Sequence, residues 1–179
     1  MGEVLWYDKF FDVTTEYKIK WQYADYGVKI DDKLTFIIEV KAVWVNLNDN
    51  HIFQAASYAS TEWVEWVVLT NLKEWNVYHL SFGSRIDQEL VLTLDFIDEI
   101  KNAKFMEKMS CIHKEGFKKW FLKNLWNQKV AMSGNNFKKV LTSQPVIKVI
   151  QKELSKASGI KIGENDISEM LADLFECKE

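Results

Sequence analysis

The stretch Ile37-Ile38-Glu39-Val40-Lys41-Ala42 sets an acid and a lysine two residues apart inside an apolar run. Side chains of a strand alternate between faces, so Glu39 and Lys41 point one way while Ile38 and Val40 point the other. Charged groups on so apolar a strand are costly unless they are paired or used. Two readings follow: an ion pair with neighbouring groups, or a site that holds a metal and a reacting phosphate.

The flanking sequence makes this stretch the third strand of a series. Val13–Ile19 is rich in β-formers, Tyr23–Ile30 continues the pattern, and Leu34–Lys41 follows the polar turn Asp31-Asp32-Lys33. From Asn50 to Glu62 the period changes, with Ile52, Ala55, Ala56 and Ala59 at helical spacing and Asn48, Asp49 or Asn50 available as cap. Glu65–Thr70 and Glu74–Leu80 read as strands joined by Asn71-Leu72-Lys73, and Ile86–Leu94 as an edge strand. Three strands, a helix and two or three more strands predict an α/β core with a mixed central sheet and a helical crossover.

A three-residue loop at Asp31-Asp32-Lys33 puts Asp25 opposite Glu39, with Cβ atoms about 4.5–5.5 Å apart. A two-residue loop would send the two acids to opposite faces. Carboxylates this close repel unless a cation lies between them. Mg²⁺ suits such a position, because it takes one or two carboxylates and keeps waters for phosphate oxygens; Mn²⁺ is its substitute. The Val40 carbonyl is available as a further ligand. Lys41, on the same face, is placed to steady an attacking water or the charge developing on phosphorus. Gln54 and Tyr58, four apart on the helix, share a face and can orient that lysine or meet a substrate strand. The competing reading is a solvent-facing hairpin with cross-strand ion pairs, a helix-boundary glutamine and a packing tyrosine.

Four motifs stand in order: Asp25-Tyr26; Ile38-Glu39-Val40-Lys41-Ala42; Asn50-His51-Ile52-x-Gln54-Ala55-x-x-Tyr58-Ala59; and Trp66-Val67-Val68-Leu69-Thr70-Asn71-x-x-x-Trp75-x-x-Tyr78. Over about residues 6–80 they resemble the N-terminal nuclease domain of type I restriction enzyme R subunits, a branch of the PD-(D/E)XK nuclease superfamily. The resemblance implies a magnesium-dependent endonuclease acting on DNA, with Asp25 and Glu39 as metal ligands and Lys41 as the catalytic lysine. Gln54 and Tyr58 would be its Q-x-x-x-Y element, and other restriction subunits or a second copy its partners. Two local departures stand out. Only Glu3 to Phe11 precede the first strand, where the family core has a longer glutamate-bearing helix, and Leu72 stands where members often carry glycine.

Composition narrows the remaining classes. A chain of 179 residues that is 47% hydrophobic, with eight Trp and eleven Phe, is not disordered. Cys111 and Cys177 lack metal-ligand spacing, no apolar run approaches membrane length and no signal-peptide pattern opens the chain, so a cytoplasmic, reduced protein is expected. No Gly-x-x-x-x-Gly-Lys-Ser/Thr loop is present, which predicts no ATP-driven motor in this chain. His51, His79 and His113 are dispersed and form no ligand pattern.

The net charge of −3 hides a block at residues 101–152 with 12 basic against 2 acidic side chains. Helical windows fill this half (Ile100–Met109, Lys114–Met132, Asn135–Leu141, Pro145–Ala157 and Glu164–Glu176), giving an α/β core over 1–95 and a basic helical region over 96–179. Lys101, Lys104 and Lys108 suit one helix face, and Lys114, Lys118, Lys119 and Lys123 are the nucleic-acid-binding candidates. A solvated face is the plain alternative for these lysines, and core packing for the aromatics among them. In function, the competitor to a metal-dependent endonuclease is a nuclease-fold module that binds DNA or a restriction partner without cutting.

Overall fold

The computed structural model describes residues 5–19 and 22–176; Glu3, at the start of the predicted opening segment, and Cys177 lie outside them. Contacts divide the chain into two compact units, the first running to Trp126 and the second beginning at Asn127. The change of composition after Asp95 falls inside the first unit.

The first unit is built on a six-stranded mixed sheet in the order β1-β2-β3-β4-β5-β6. The strands are β1 (Val13–Ile19), β2 (Gln22–Ile30), β3 (Lys33–Val40), β4 (Trp66–Thr70), β5 (Glu74–Phe82) and β6 (Ile86–Asp95). Every neighbouring pair is antiparallel except β3 and β4, which run parallel through the crossover helix α1 (Asp49–Thr61). β6 lies at the sheet edge, as its weaker alternation predicts.

Two apolar layers sandwich the sheet. The stripe Ile52, Ala55, Ala56 and Ala59 of α1 buries against Ile37, Val67 and Leu69. On the opposite face Phe36, Ile38 and Val68 pack against Phe105, Met109 and Ile112, which recur at i, i+4 and i+7 along α2 (Ala103–Ile112). Both faces being covered, β3 and β4 read as continuous apolar runs, and β4 is buried along its whole length. Leu5 and Tyr7 enter the second layer, and the Tyr7 hydroxyl donates to the Ile112 carbonyl at 2.9 Å.

The predicted single helix over Lys114–Met132 is two helices, α3 (Lys114–Lys118) and α4 (Phe121–Ala131). Trp120 breaks it with a left-handed φ of 64°. Lys101 precedes the α2 cap Asn102, so it does not share a helix face with Lys104 and Lys108. In the second unit, α5 (Gly134–Leu141), α6 (Gln144–Ser158) and α7 (Glu164–Glu176) follow. Gly134 opens α5 behind the Ser133 cap rather than stopping a helix, whereas Gly159 closes α6 at φ 72°. Ile147 and Ile167 are buried here, and Gln151 Nε2 donates to the Ile162 carbonyl. Among the described residues no helix is long and apolar enough to cross a membrane.

Candidate functional site

The hairpin that carries the site differs from the expected one and yet reaches the same register. Ile30 pairs with Lys33 across a two-residue loop, Asp31-Asp32, not the three-residue loop expected. Both aspartates take left-handed φ, 50° and 61°, as the tight hairpin turn matching strand twist requires. Left alone, this turn would put Asp25 and Glu39 on opposite faces. A bulge restores the register: Lys29 pairs with Leu34 but Val28 pairs with Phe36, leaving Thr35 as the extra residue. Beyond it Tyr26 stands opposite Ile38, which carries Asp25 to the level of Glu39.

Asp25 sits where β2 turns over. Ala24 packs in the α1 layer and Tyr26 in the other, although they are two residues apart. On the far side the β1 pairing passes from Thr15–Tyr26 to Tyr17–Ala24 over Glu16, which is itself left-handed at φ 46°. The Asp25 carboxylate then does the work of a backbone carbonyl, with Oδ2 accepting from the Val40 N–H at 2.7 Å. On the opposite edge of β3 the Lys41 N–H donates to the Thr70 carbonyl at 2.7 Å. Both acid and lysine are thus anchored to the last residues of the parallel pair.

Glu39 is only 4% exposed. Lys41 Nζ donates to its Oε1 at 2.6 Å. Burial pushes the Glu39 carboxyl above the ordinary carboxylate range; the Lys41 hydrogen bond opposes that, the Asp25 charge adds to it, and the charges of Lys41 and His51 oppose it again. The upward push prevails, so one lysine does not fully compensate this carboxylate.

The α1 helix supplies the remaining groups. Asn48 caps it by accepting from the Asn50 N–H, and Gln54 Nε2 donates to the Tyr58 hydroxyl at 2.8 Å. Tyr58 is buried and Gln54 exposed. His51, set aside in the sequence for want of a ligand pattern, lies within electrostatic reach of Glu39. Its Nδ1 is buried without a hydrogen-bond partner, the one such side-chain nitrogen or oxygen among the described residues. The signal for it was helical rather than ligand spacing, since His51, Gln54 and Tyr58 stand at i, i+3 and i+7 on α1.

The loop that follows Lys41 is tied to the β4–β5 turn. Asn71 Nδ2 donates to the Val45 carbonyl at 2.9 Å, while its Oδ1 accepts from the N–H groups of Lys73 and Glu74. Thr70 Oγ1 accepts from the Leu72 N–H. Leu72 takes φ 73°, the conformation that favours glycine. The Thr70-Asn71 pair therefore braces the floor of the site.

No family model, curated protein or solved structure matches the chain. Among the described residues no three His, Cys, Asp or Glu side chains gather as a metal cluster. The donor set is two carboxylates, Asp25 and Glu39, with the Val40 backbone beside them. This is too sparse for a zinc or calcium cage and fits a hard ion that uses one or two carboxylates and keeps its waters.

The four candidate nucleic-acid lysines do not form one free basic face. Lys114 pairs with Asp12, Lys118 with Asp31 at 2.7 Å, and Lys123 with Glu65 at 3.7 Å. Lys119 caps α3 and is exposed. Three of these four lysines are thus answered by acids of the preceding half.

Proposed function

We propose that the first unit is a metal-dependent DNA endonuclease of the PD-(D/E)XK type, related to the N-terminal domain of type I restriction R subunits. The observation that supports it best is Glu39: a carboxylate buried at the end of a parallel strand pair, level with Asp25 and held by Lys41. A solvent-facing hairpin has no need of that burial.

In this reading Asp25 and Glu39 hold Mg²⁺ or Mn²⁺, with the Val40 carbonyl as a further ligand. Such an ion, when bound, stabilises charge on phosphoryl oxygens and lowers the pKa of water. Lys41 offsets the negative charge that grows on the phosphate during attack. Gln54, fixed by Tyr58, presents an exposed amide to a substrate strand, and His51 adds a second nitrogen group beside the acids. The reaction is hydrolysis of a phosphodiester, with DNA as substrate and restriction subunits or a second copy as partners.

The neutralised lysines favour one competing reading, a nuclease-fold module that engages DNA or a partner protein without cutting. Incubating the protein with supercoiled, linear and single-stranded DNA in Mg²⁺ and Mn²⁺ separates the two. Cleavage that disappears in Glu39→Ala and Lys41→Ala while the fold persists supports the enzyme. Salt-sensitive binding without cleavage of any form selects the module. Undiminished cleavage by both variants removes the site assignment.

A further inference from the structure

Far from Glu39, at the end where β3 and β4 begin, the first unit has an open cavity of about 460 Å³. It is formed by the β2–β3 hairpin tip, the link from α1 into β4, and the α3–α4 junction. That volume lies within the range of small-ligand sites, roughly 300–1,000 Å³.

Two tryptophans contribute to its wall in a way that core packing does not explain. Trp63 is 75% exposed and Trp120 is 64% exposed. Both indoles come from left-handed residues, at φ 55° and 64°. L-residues rarely adopt this conformation, and those that do gather at ligand clamps and other functional sites. A strained backbone that presents a large apolar ring to solvent on two separate loops is costly for folding alone. Behind them Trp66 and Phe117 are set edge to face, with Phe117 also against Phe36 at 4.7 Å, giving a stiff aromatic floor.

The polar lining adds a sign. Lys33, Lys118 and Lys123 face Asp31 and Glu65, three cations to two acids. The Lys118–Asp31 pair is largely exposed, the Lys123–Glu65 contact is long at 3.7 Å, and Lys33 makes no ion pair among the described residues. Exposed pairs of this kind are weak enough for an incoming anion to exchange partners. Aromatic faces bind planar rings, and an excess of lysine selects those carrying a negative group.

We infer that this cavity binds a nucleotide, its base against the tryptophans and its phosphate among the three lysines. The inference does not rest on the endonuclease reading, because the cavity shares no lining residue with the Glu39 site. A free mononucleotide and an unstacked nucleotide of a single strand offer the same chemistry.

Calorimetric titration of the full chain with AMP, adenosine and an eight-nucleotide single-stranded DNA tests it. AMP or the oligonucleotide should bind, and adenosine at least tenfold more weakly than AMP. If AMP binds, the source is a free nucleotide; if only the oligonucleotide binds, it is a strand. Trp120→Gly removes the ring at a φ that glycine accepts, so it should stay folded and lose binding at least tenfold. Lys33→Gln should weaken binding without a change in thermal midpoint. The absence of any binding, adenosine as tight as AMP, or full binding by a folded Trp120→Gly would each overturn the inference.

Discussion

The two ends of the β3–β4 pair treat charge in opposite ways. At the end where the strands begin, Asp31 and Glu65 lie at the surface and meet lysines from the helices. The Asp31 hydrogen bond raises the pKa of the Lys118 ammonium, so the contact favours the charged lysine. At the end where they finish, Glu39 is buried and its lysine does not fully offset the cost of burial. Compensated surface charge stabilises a little and asks for nothing. Undercompensated buried charge is a standing cost that a fold retains where the group has a task.

This contrast is sharpened most by activity. Glu39→Ala and Lys41→Ala are each expected to lower DNA cleavage about 10²–10³-fold or more, as removal of a charge-stabilising group does. Circular dichroism should report an intact fold for both. If cleavage survives at the finishing end, the two ends are not functionally different.

The next largest effect tests the shared scaffold. Ile37→Ala, at a fully buried position of β3 between the ends, should cost about 2–5 kcal/mol in denaturant unfolding. A loss much below that range would mean that the strand pair is not the rigid element on which both ends depend.

A smaller effect, of unusual sign, separates the ends by pH. Because the folded state raises the Glu39 pKa, it binds that proton more tightly than the unfolded chain does. The contribution of Glu39 to stability is therefore most favourable below the ordinary carboxylate range and is lost as pH rises through the raised value. Glu39→Gln should accordingly raise the melting temperature at pH 7.5, with the gain fading towards pH 4, while abolishing cleavage. A lower melting temperature at pH 7.5 would show that the Lys41 pair outweighs the burial.

The smallest effect belongs to the starting end. Asp31→Asn breaks an exposed pair at a turn position that asparagine tolerates, so its melting temperature should match the parent within error. A clear loss there would erase the contrast between the ends.

Much of the core was legible because its patterns are local. β1 matches its predicted span, and the α1 stripe of Ile52 and three alanines announces a buried helix. The crossover that makes β3 and β4 parallel follows from that helix. The hairpin was less legible, since a turn of two residues and a bulge together imitate a turn of three, and pairing sums cannot tell them apart. Trp120 shows another limit, because nothing in Lys114–Met132 marks a left-handed break at a bulky residue. The pairing of the lysines was out of reach for a longer-range reason: Lys114, Lys118 and Lys123 meet Asp12, Asp31 and Glu65, which lie 102, 87 and 58 residues away in sequence. His51 was hidden because it is one nitrogen donor among acids rather than part of a repeating set.

The bulge at Val28 and Lys29 has a consequence for how this hairpin can change. It holds one residue of slack between the Asp31-Asp32 tip and the Asp25 level. A one-residue insertion at the tip can be absorbed by straightening the bulge, with Tyr26 still opposite Ile38. The tip lines the cavity, so that end can be lengthened or re-shaped while Asp25 and Glu39 keep step. The two ends of a single pair of strands are thereby free to drift independently, like two instruments sharing a rail with an expansion joint between them.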